Sequence, residues 1–144
     1  MAVLRFCAEE VRRQGRGPLE TVGMIEAWNY AARLMDRGKR LSAEHLQMFG
    51  NSIEPEKNSQ GRWRDCNVRV GSHVAPGFSE VPGLMARYLE MFPSMDPEEA
   101  YLEFERIHPF RDGNGRVGKI IFNWAKRTLA MPVWPPNFWG NGNP

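Results

Sequence analysis

The sequence predicts an all-α fold, a helical bundle with a short β-hairpin beside a glycine-rich loop, on three observations. Apolar residues recur at helical spacing over most of the 144 residues. Glycine and proline cut the periodic stretches into helix-length pieces. One stretch, 54–78, loses that period: Gly61, Gly71 and Gly77 punctuate it, and Trp63, Val68 and Val70 suit a short strand pair. A chain of this length fits one domain, 1–144, around a single core, with the core elements in about 20–130.

The first helix is expected from Val3 to Arg13, stopped by Gly15-Arg16-Gly17-Pro18. The second runs from Leu19 to Asp36, carries Val22, Ile25, Tyr30 and Leu34, and ends at Gly38. Ser42 is a good N-cap for a third helix that buries Leu46 and Phe49. After the non-helical stretch, Ser79 to Phe92 presents Leu84, Met85, Tyr88 and Leu89 on one face, with Pro82 tolerated near the first turn. Asp96-Pro97-Glu98-Glu99 joins an N-cap, a proline at the first helical position and an acid at the third, so a helix starts there and runs to about Ile107. A last helix from Gly115 to about Ala130 buries Val117, Ile120, Ile121, Trp124 and Leu129. Residues 132–144 are rich in Pro, Asn and Gly and read as an extended tail, whose aromatics Phe138 and Trp139 are expected to pack back on the bundle.

Composition narrows the function. With 42% hydrophobic and 25% charged residues the chain is neither disordered nor membrane-like. Lys and Arg total 19 against 17 Asp and Glu, and the net charge of +2 gives no drive toward nucleic acid. No apolar run approaches the roughly 20 residues of a spanning helix, and no signal peptide is seen, so no membrane partner is expected. Cys7 and Cys66, in unrelated contexts, favour a reducing, cytoplasmic setting.

The chemistry is concentrated in His108-Pro109-Phe110-Arg111-Asp112-Gly113-Asn114-Gly115-Arg116. Gly113 and Gly115 permit the positive backbone dihedrals of an anion-binding nest and a close approach of main chain to phosphate. The following helix adds unpaired N–H groups and the positive end of its dipole. Asp112 offers a hard oxygen to Mg²⁺, and Asn114 an amide to a phosphate oxygen. Arg116 in the first helical turn opposes the dipole unless an anion is bound. His108, whose ring titrates near neutrality, suits removal of a proton from an attacking hydroxyl. Such a set fits phosphoryl or nucleotidyl transfer, which needs positioning, charge neutralisation and a base. It is not an EF-hand or a P-loop, and His45, His73 and His108 are too scattered for a zinc site.

This segment resembles the signature of the Fic domain family, His-x-Phe-x-(Asp/Glu)-Gly-Asn-Gly-Arg-x-x-Arg, matching seven of its eight fixed positions; Lys119 replaces the last arginine. Gly61-Arg62-Trp63-Arg64 with Val68-Arg69-Val70 looks like the family's flap, and Val81-Pro82-Gly83-Leu84-Met85 like the helix after it. The resemblance implies transfer of AMP from ATP, with Mg²⁺, to a Ser, Thr or Tyr hydroxyl of a target protein. By the same resemblance His108 is the base and Asp112 the metal ligand. Gly113, Asn114, Gly115, Arg116 and Lys119 hold phosphates, Phe110 orients the loop, and Asn123 and Trp124 are candidates to border the adenine. The flap, about 62–74 with Arg62, Trp63, Val68 and Val70, would pair with an extended target segment.

Lysine at 119 keeps the charge but loses the two-pronged geometry of arginine, so altered handling of the terminal phosphate is expected. The family's inhibitory pattern, (Ser/Thr)-x-x-x-Glu-(Gly/Asn), is met only in part by Val22 to Ala27 and Ser52 to Lys57, which leaves an antitoxin-like partner or a homo-oligomer as the alternative source of restraint. The competing readings are a Fic-type transferase of another nucleotide, phosphocholine or phosphate, and a catalytically silent binding module of the same fold.

Overall fold

The computed structural model describes residues 2–137. Among the described residues six α-helices, α1 (Ala2–Arg13), α2 (Pro18–Asp36), α3 (Ala43–Ile53), α4 (Val81–Met91), α5 (Pro97–Ile107) and α6 (Asn114–Lys126), surround one core, and a hairpin of β1 (Arg69–Val70) and β2 (His73–Val74) lies between α3 and α4. The all-α class with one small hairpin is thus as the periodicity predicts.

The helix starts follow their caps. Ser42 accepts from the His45 N–H at 3.2 Å, and Asp96 from the Glu99 N–H at 2.9 Å. The inner faces of α2 (Met24, Ala27, Trp28, Ala31), α3 (Leu46, Phe49, Ile53), α5 (Phe104, Ile107) and α6 (Val117, Ile120, Ile121) meet in the centre. Trp28 is fully buried and its indole N–H donates to the Leu129 carbonyl at 2.8 Å, so its polar end is satisfied. Val22 is exposed, because the stripe of α2 that packs runs through Met24, Ala27, Ala31 and Leu34 instead.

Two boundaries differ from the sequence reading by two residues or more. The fourth helix begins at Val81 rather than Ser79, preceded by a single 3-10 turn over Phe78–Glu80. The last ends at Lys126 rather than about Ala130. Arg127 takes left-handed dihedrals (φ 62, ψ 39), and the Asn123 side chain captures the Thr128 hydroxyl at 2.6 Å and the Val133 N–H at 2.7 Å, drawing the chain off the helix axis. The segment that follows returns to the bundle: Trp134 stacks on Phe6 of α1 with ring centres 4.2 Å apart. Phe138 and Trp139 lie outside the described residues.

In the hairpin, Arg69 pairs with Val74 and Val70 with His73. Gly71, at φ +58, takes the first position of the two-residue turn, where the twist of the strands demands a positive φ. The His73 Nε2 donates to the Arg106 carbonyl at 3.0 Å, fixing the hairpin to the end of α5.

Candidate active site

The end of α5, the loop 108–113 and the start of α6 converge on one small polar cavity of about 180 Å³. It is lined by His108, Arg111, Asp112, Gly113, Asn114, Gly115 and Arg116, by Val70 of the hairpin, and by Gln14 and Arg16 of the α1–α2 turn. A larger cavity, about 470 Å³ between α4 and α5, contains no histidine and no glycine-rich turn, and the chemistry is not there.

His108 ends α5 in the left-handed region (φ 53, ψ 61), which a non-glycine residue seldom occupies without being held there. Its N–H donates to the Phe104 carbonyl at 2.9 Å and its carbonyl accepts from Arg64 Nε at 2.6 Å. Its ring Nδ1 is 3.3 Å from the Glu105 carbonyl. A carbonyl can only accept, so Nδ1 carries the proton and Nε2 keeps its lone pair. Burial pushes the ring's pKa down from 6.5 to about 4. The Glu105 carbonyl and Asp112 pull upward, while Arg64 and His73 nearby add to the depression. The imidazole is therefore neutral at pH 7. In a proton NMR titration of the free protein the His108 ring signals are expected to stay flat from pH 8 to 6 and to move only near pH 4; a midpoint at 6.5 or above would contradict this. The accompanying sign is fixed: a depressed histidine favours the folded state above the unfolded value of about 6.5, and that contribution is lost as pH falls toward 4.

Phe110 is fully buried between Trp63 (ring centres 5.4 Å apart) and Phe104 (6.5 Å). The Asn114 side chain closes back on it, Oδ1 accepting from the Phe110 N–H at 2.9 Å and Nδ2 donating to the Phe110 carbonyl at 2.8 Å. Gly113, at φ +81, could carry no side chain even in a relaxed backbone, since a Cβ there would lie 2.8 Å from Ile53 Cγ2. No side chain caps α6 at Gly113, so the first N–H groups of the helix face the cavity's glycine turn uncapped.

Asp112 receives three donors: the Gly113 N–H at 2.8 Å, Arg16 at 2.6 Å and Lys57 at 3.0 Å. Burial works to raise its pKa, but these donors outweigh it and hold the carboxyl below the usual range, ionised. Asn58, buried, donates to the Asp112 carbonyl at 2.8 Å and to the Gly50 carbonyl at 3.0 Å, fixing the loop against α3. Arg116 is 2% exposed; its Nη2 donates to Glu54 Oε2 at 2.7 Å and its Nη1 is buried with no hydrogen-bond partner. A buried guanidinium N–H without an acceptor, beside a glycine turn, has the electrostatics of an anion site. The donor set also fits Mg²⁺, which takes one or two carboxylates together with substrate phosphates. Asp112 supplies an ionised carboxylate on the cavity wall; among the described residues there is no cluster of three or more His, Cys, Asp or Glu to act as an all-protein cage.

Four expectations need correction. Lys119 does not line the cavity: it is 2% exposed and its ammonium lies 3.3 Å from Glu10 Oε2 of α1, because its position on α6 faces α1 rather than the loop. Asn114 is on the cavity wall, yet its amide holds Phe110 instead of pointing outward to a phosphate. Asn123 and Trp124 are away from the site. Asn123 spends its side chain on the Lys119 carbonyl and on 128–133, and Trp124 borders a separate cleft with Met35, Leu41 and Phe92. Arg62 and Trp63 precede the hairpin rather than belong to it: Arg62 is bonded to Gln60, and Trp63 packs under the loop on Phe110. Of the flap residues, Val70 reaches the cavity and Val68 extends the ladder, its carbonyl accepting from the Ala75 N–H at 3.3 Å.

Sequence reasoning read Arg64 only as part of the flap; it is 3% exposed and donates to the carbonyls of His108, Cys66, Pro76 and Ile107 at 2.6–3.1 Å, while its own N–H donates to the Pro109 carbonyl at 2.8 Å. One guanidinium thus ties both ends of the hairpin segment to the histidine. Sequence reasoning missed Arg16, Lys57, Asn58 and Glu54. Arg16 stands in a Gly-Arg-Gly-Pro break that reads as a linker, and only the tertiary fold brings it to Asp112.

Comparison with known proteins agrees with this geometry. The profile of the Fic/DOC family matches residues 39–125. Protein adenylyltransferase Fic of Culex quinquefasciatus is 30% identical over 133 residues, 81% of this chain and 25% of that protein. Its Drosophila ananassae namesake is 38% identical over 102 residues, 64% and 19% respectively. The chain therefore spans a quarter or less of the length of these two relatives. Among solved structures, a Fic family protein from Desulfovibrio desulfuricans superposes with a TM-score of 0.60 at 26% identity, covering 81% of this chain and 42% of that one. The IbpAFic2 domain in complex with adenylylated Cdc42 gives 0.69 at 18% identity, with 93% and 48% covered, a likeness of fold. With its family profile over more than half its length, a signature loop and a matching helical fold, this chain belongs to the Fic/DOC family.

Proposed function

We propose that the chain is the catalytic domain of a protein adenylyltransferase, moving AMP from ATP to a Ser, Thr or Tyr hydroxyl of a target protein. The observation that carries this is the meeting, in one cavity, of a neutral histidine, an ionised carboxylate, an uncapped helix start behind a glycine turn, and a buried arginine with an unused donor.

His108 Nε2 takes the proton of the target hydroxyl as the oxygen attacks the α-phosphorus; the bond to the bridging oxygen breaks and pyrophosphate leaves. The Nδ1–H, fixed on the Glu105 carbonyl, keeps Nε2 forward and gives the imidazolium an acceptor as it forms. The turn 113–115 and the first N–H groups of α6 stabilise negative charge on the phosphates, with Arg116 behind them. Asp112 is the residue that would hold Mg²⁺, which supplies charge neutralisation on the phosphates when bound. Each strand of the hairpin has a free edge, and Val70 stands on the cavity wall, so a target segment that adds to the hairpin delivers its hydroxyl beside His108. The two adenylyltransferase relatives support this choice of transferred group.

The test uses ATP labelled at the α- or γ-phosphate, Mg²⁺ and a cell lysate, with the parent chain and His108→Ala. Label from the α-position is expected on protein, reduced about 10²-fold or more in the variant, the range for loss of a general base. Label from the γ-position alone would indicate phosphate transfer, and no label from ATP or other nucleotides would identify a silent domain.

A further inference from the structure

We infer that Arg16, on the turn between α1 and α2, is the second guanidinium of a two-arginine clamp for the phosphates beyond the first, and that it does the work the sequence assigns to Lys119. This rests on the reading of the cavity as a nucleotide site.

Arg16 and Arg116 straddle the same two carboxylates. Arg116 Nη2 is 2.7 Å from Glu54 Oε2 and 3.8 Å from Asp112 Oδ1; Arg16 Nη2 is 2.6 Å from Asp112 Oδ2, with its Nε 4.0 Å from Glu54 Oε2. Both arginines line the cavity that holds the glycine turn. With Lys57 Nζ 3.0 Å from Asp112 Oδ2, three cations meet two carboxylates, so the set keeps a net positive charge, and the carboxylate oxygens occupy places that anionic phosphate oxygens can take. The Arg116 Nη1, buried with no partner, shows that these oxygens do not use all the donors the clamp presents.

Lys119 cannot be that second cation, being buried beside Glu10 and absent from the cavity wall. Arg16 can: its side chain is 36% exposed and it is carried between Gly15, at φ +74, and Gly17, outside the helices on either side. Its reach depends on α1 being docked, and Glu10 of α1, fully buried against Lys119, anchors that helix. The lysine thus acts indirectly, holding in place the helix whose end presents the arginine. Arg16 lies outside residues 39–125, so its role is not carried over from the family profile.

When a polyphosphate enters, Arg16 exchanges Asp112 for phosphate oxygens, which removes one of the carboxylate's three donors and leaves Lys57 and the Gly113 N–H on it. Removal of Arg16 should then weaken ATP and inorganic pyrophosphate and spare AMP, which lacks the further phosphates.

Calorimetric titration of the whole chain and of Arg16→Ala and Arg16→Lys, with ATP, AMP and pyrophosphate, each with and without Mg²⁺, tests this. A melting curve first establishes that the variants are folded. Arg16→Ala is expected to bind ATP and pyrophosphate about tenfold more weakly, as for loss of one charge-assisted contact, with AMP within twofold and the lysine variant between. ATP affinity within twofold of the parent, an equal loss for AMP, or tighter binding of Mg²⁺-ATP, which would make Arg16 a plug on Asp112, overturns the inference. Loss of pyrophosphate binding in a protein that binds no ATP supports the clamp while rejecting the nucleotide reading; a parent that binds neither rejects both.

Discussion

Replacing Arg64 with methionine is expected to cost about 3–5 kcal/mol of folding stability and most of the transfer activity in one step. Its guanidinium serves four buried or half-buried carbonyls from three stretches of chain, Ile107 and His108 at the end of α5, Cys66 before the hairpin and Pro76 after it. Methionine fills part of the volume and supplies no donor, so those oxygens lose their partners together. The left-handed backbone at His108 then loses one of its two restraints, and the imidazole leaves the orientation that aims Nε2 at the cavity. Urea unfolding measures the first effect and labelled transfer the second. A variant within about 0.5 kcal/mol of the parent, or one with parental activity, would show that the hairpin and loop hold without this staple.

Replacing Lys119 with methionine is expected to destabilise the chain by about 3 kcal/mol, with ATP affinity falling only through the loosened α1 that carries Arg16, and so by no more than in Arg16→Ala. The ammonium lies 3.3 Å from Glu10, which is fully buried, and 5.5 Å from the Tyr101 ring centre. Burial lowers the lysine's pKa, and the two carboxylates Glu10 and Glu105 oppose that fall. Glu105 is pushed the other way, up to about 8 from 4.5, by burial above all, with Lys119 drawing it back down. Glu105 Oε2 lies 3.9 Å from His108 Nδ1. Gly118 leaves the space that Glu105 Oε1 occupies. With Lys119 removed, Glu10 keeps Arg13 and Gln14 at the rim but loses its interior cation. Adding Glu10→Gln should recover part of the loss, since the buried charge left behind is the source of the cost. A fall in ATP affinity with little change in stability would instead restore Lys119 to the phosphate site.

Much of this was legible in the sequence because local rules set it. Asp96-Pro97 and Ser42 start their helices where capping chemistry places them, and the nine residues from His108 include most of the side chains that line the polar cavity. What was not legible depends on pairings distant in the chain. Lys119, three residues beyond Arg116, turns to α1 because helical pitch points it there, and only a folded α1 provides Glu10. Asn123 and Trp124 sit on the same helix as the site yet serve its far end, where the chain reverses through Arg127. Arg16 and Asp112 are 96 residues apart in sequence. Arg64 is one arginine among many in composition; burial and four carbonyls distinguish it.

The most direct measurement of the central claim is tandem mass spectrometry of proteins modified by the chain in lysate supplied with Mg²⁺ and ATP. Adenosine monophosphate joined to a Ser, Thr or Tyr hydroxyl oxygen is expected, absent when His108→Ala replaces the parent. A phosphate adduct on those hydroxyls, or an AMP adduct that persists in the variant, would contradict that claim.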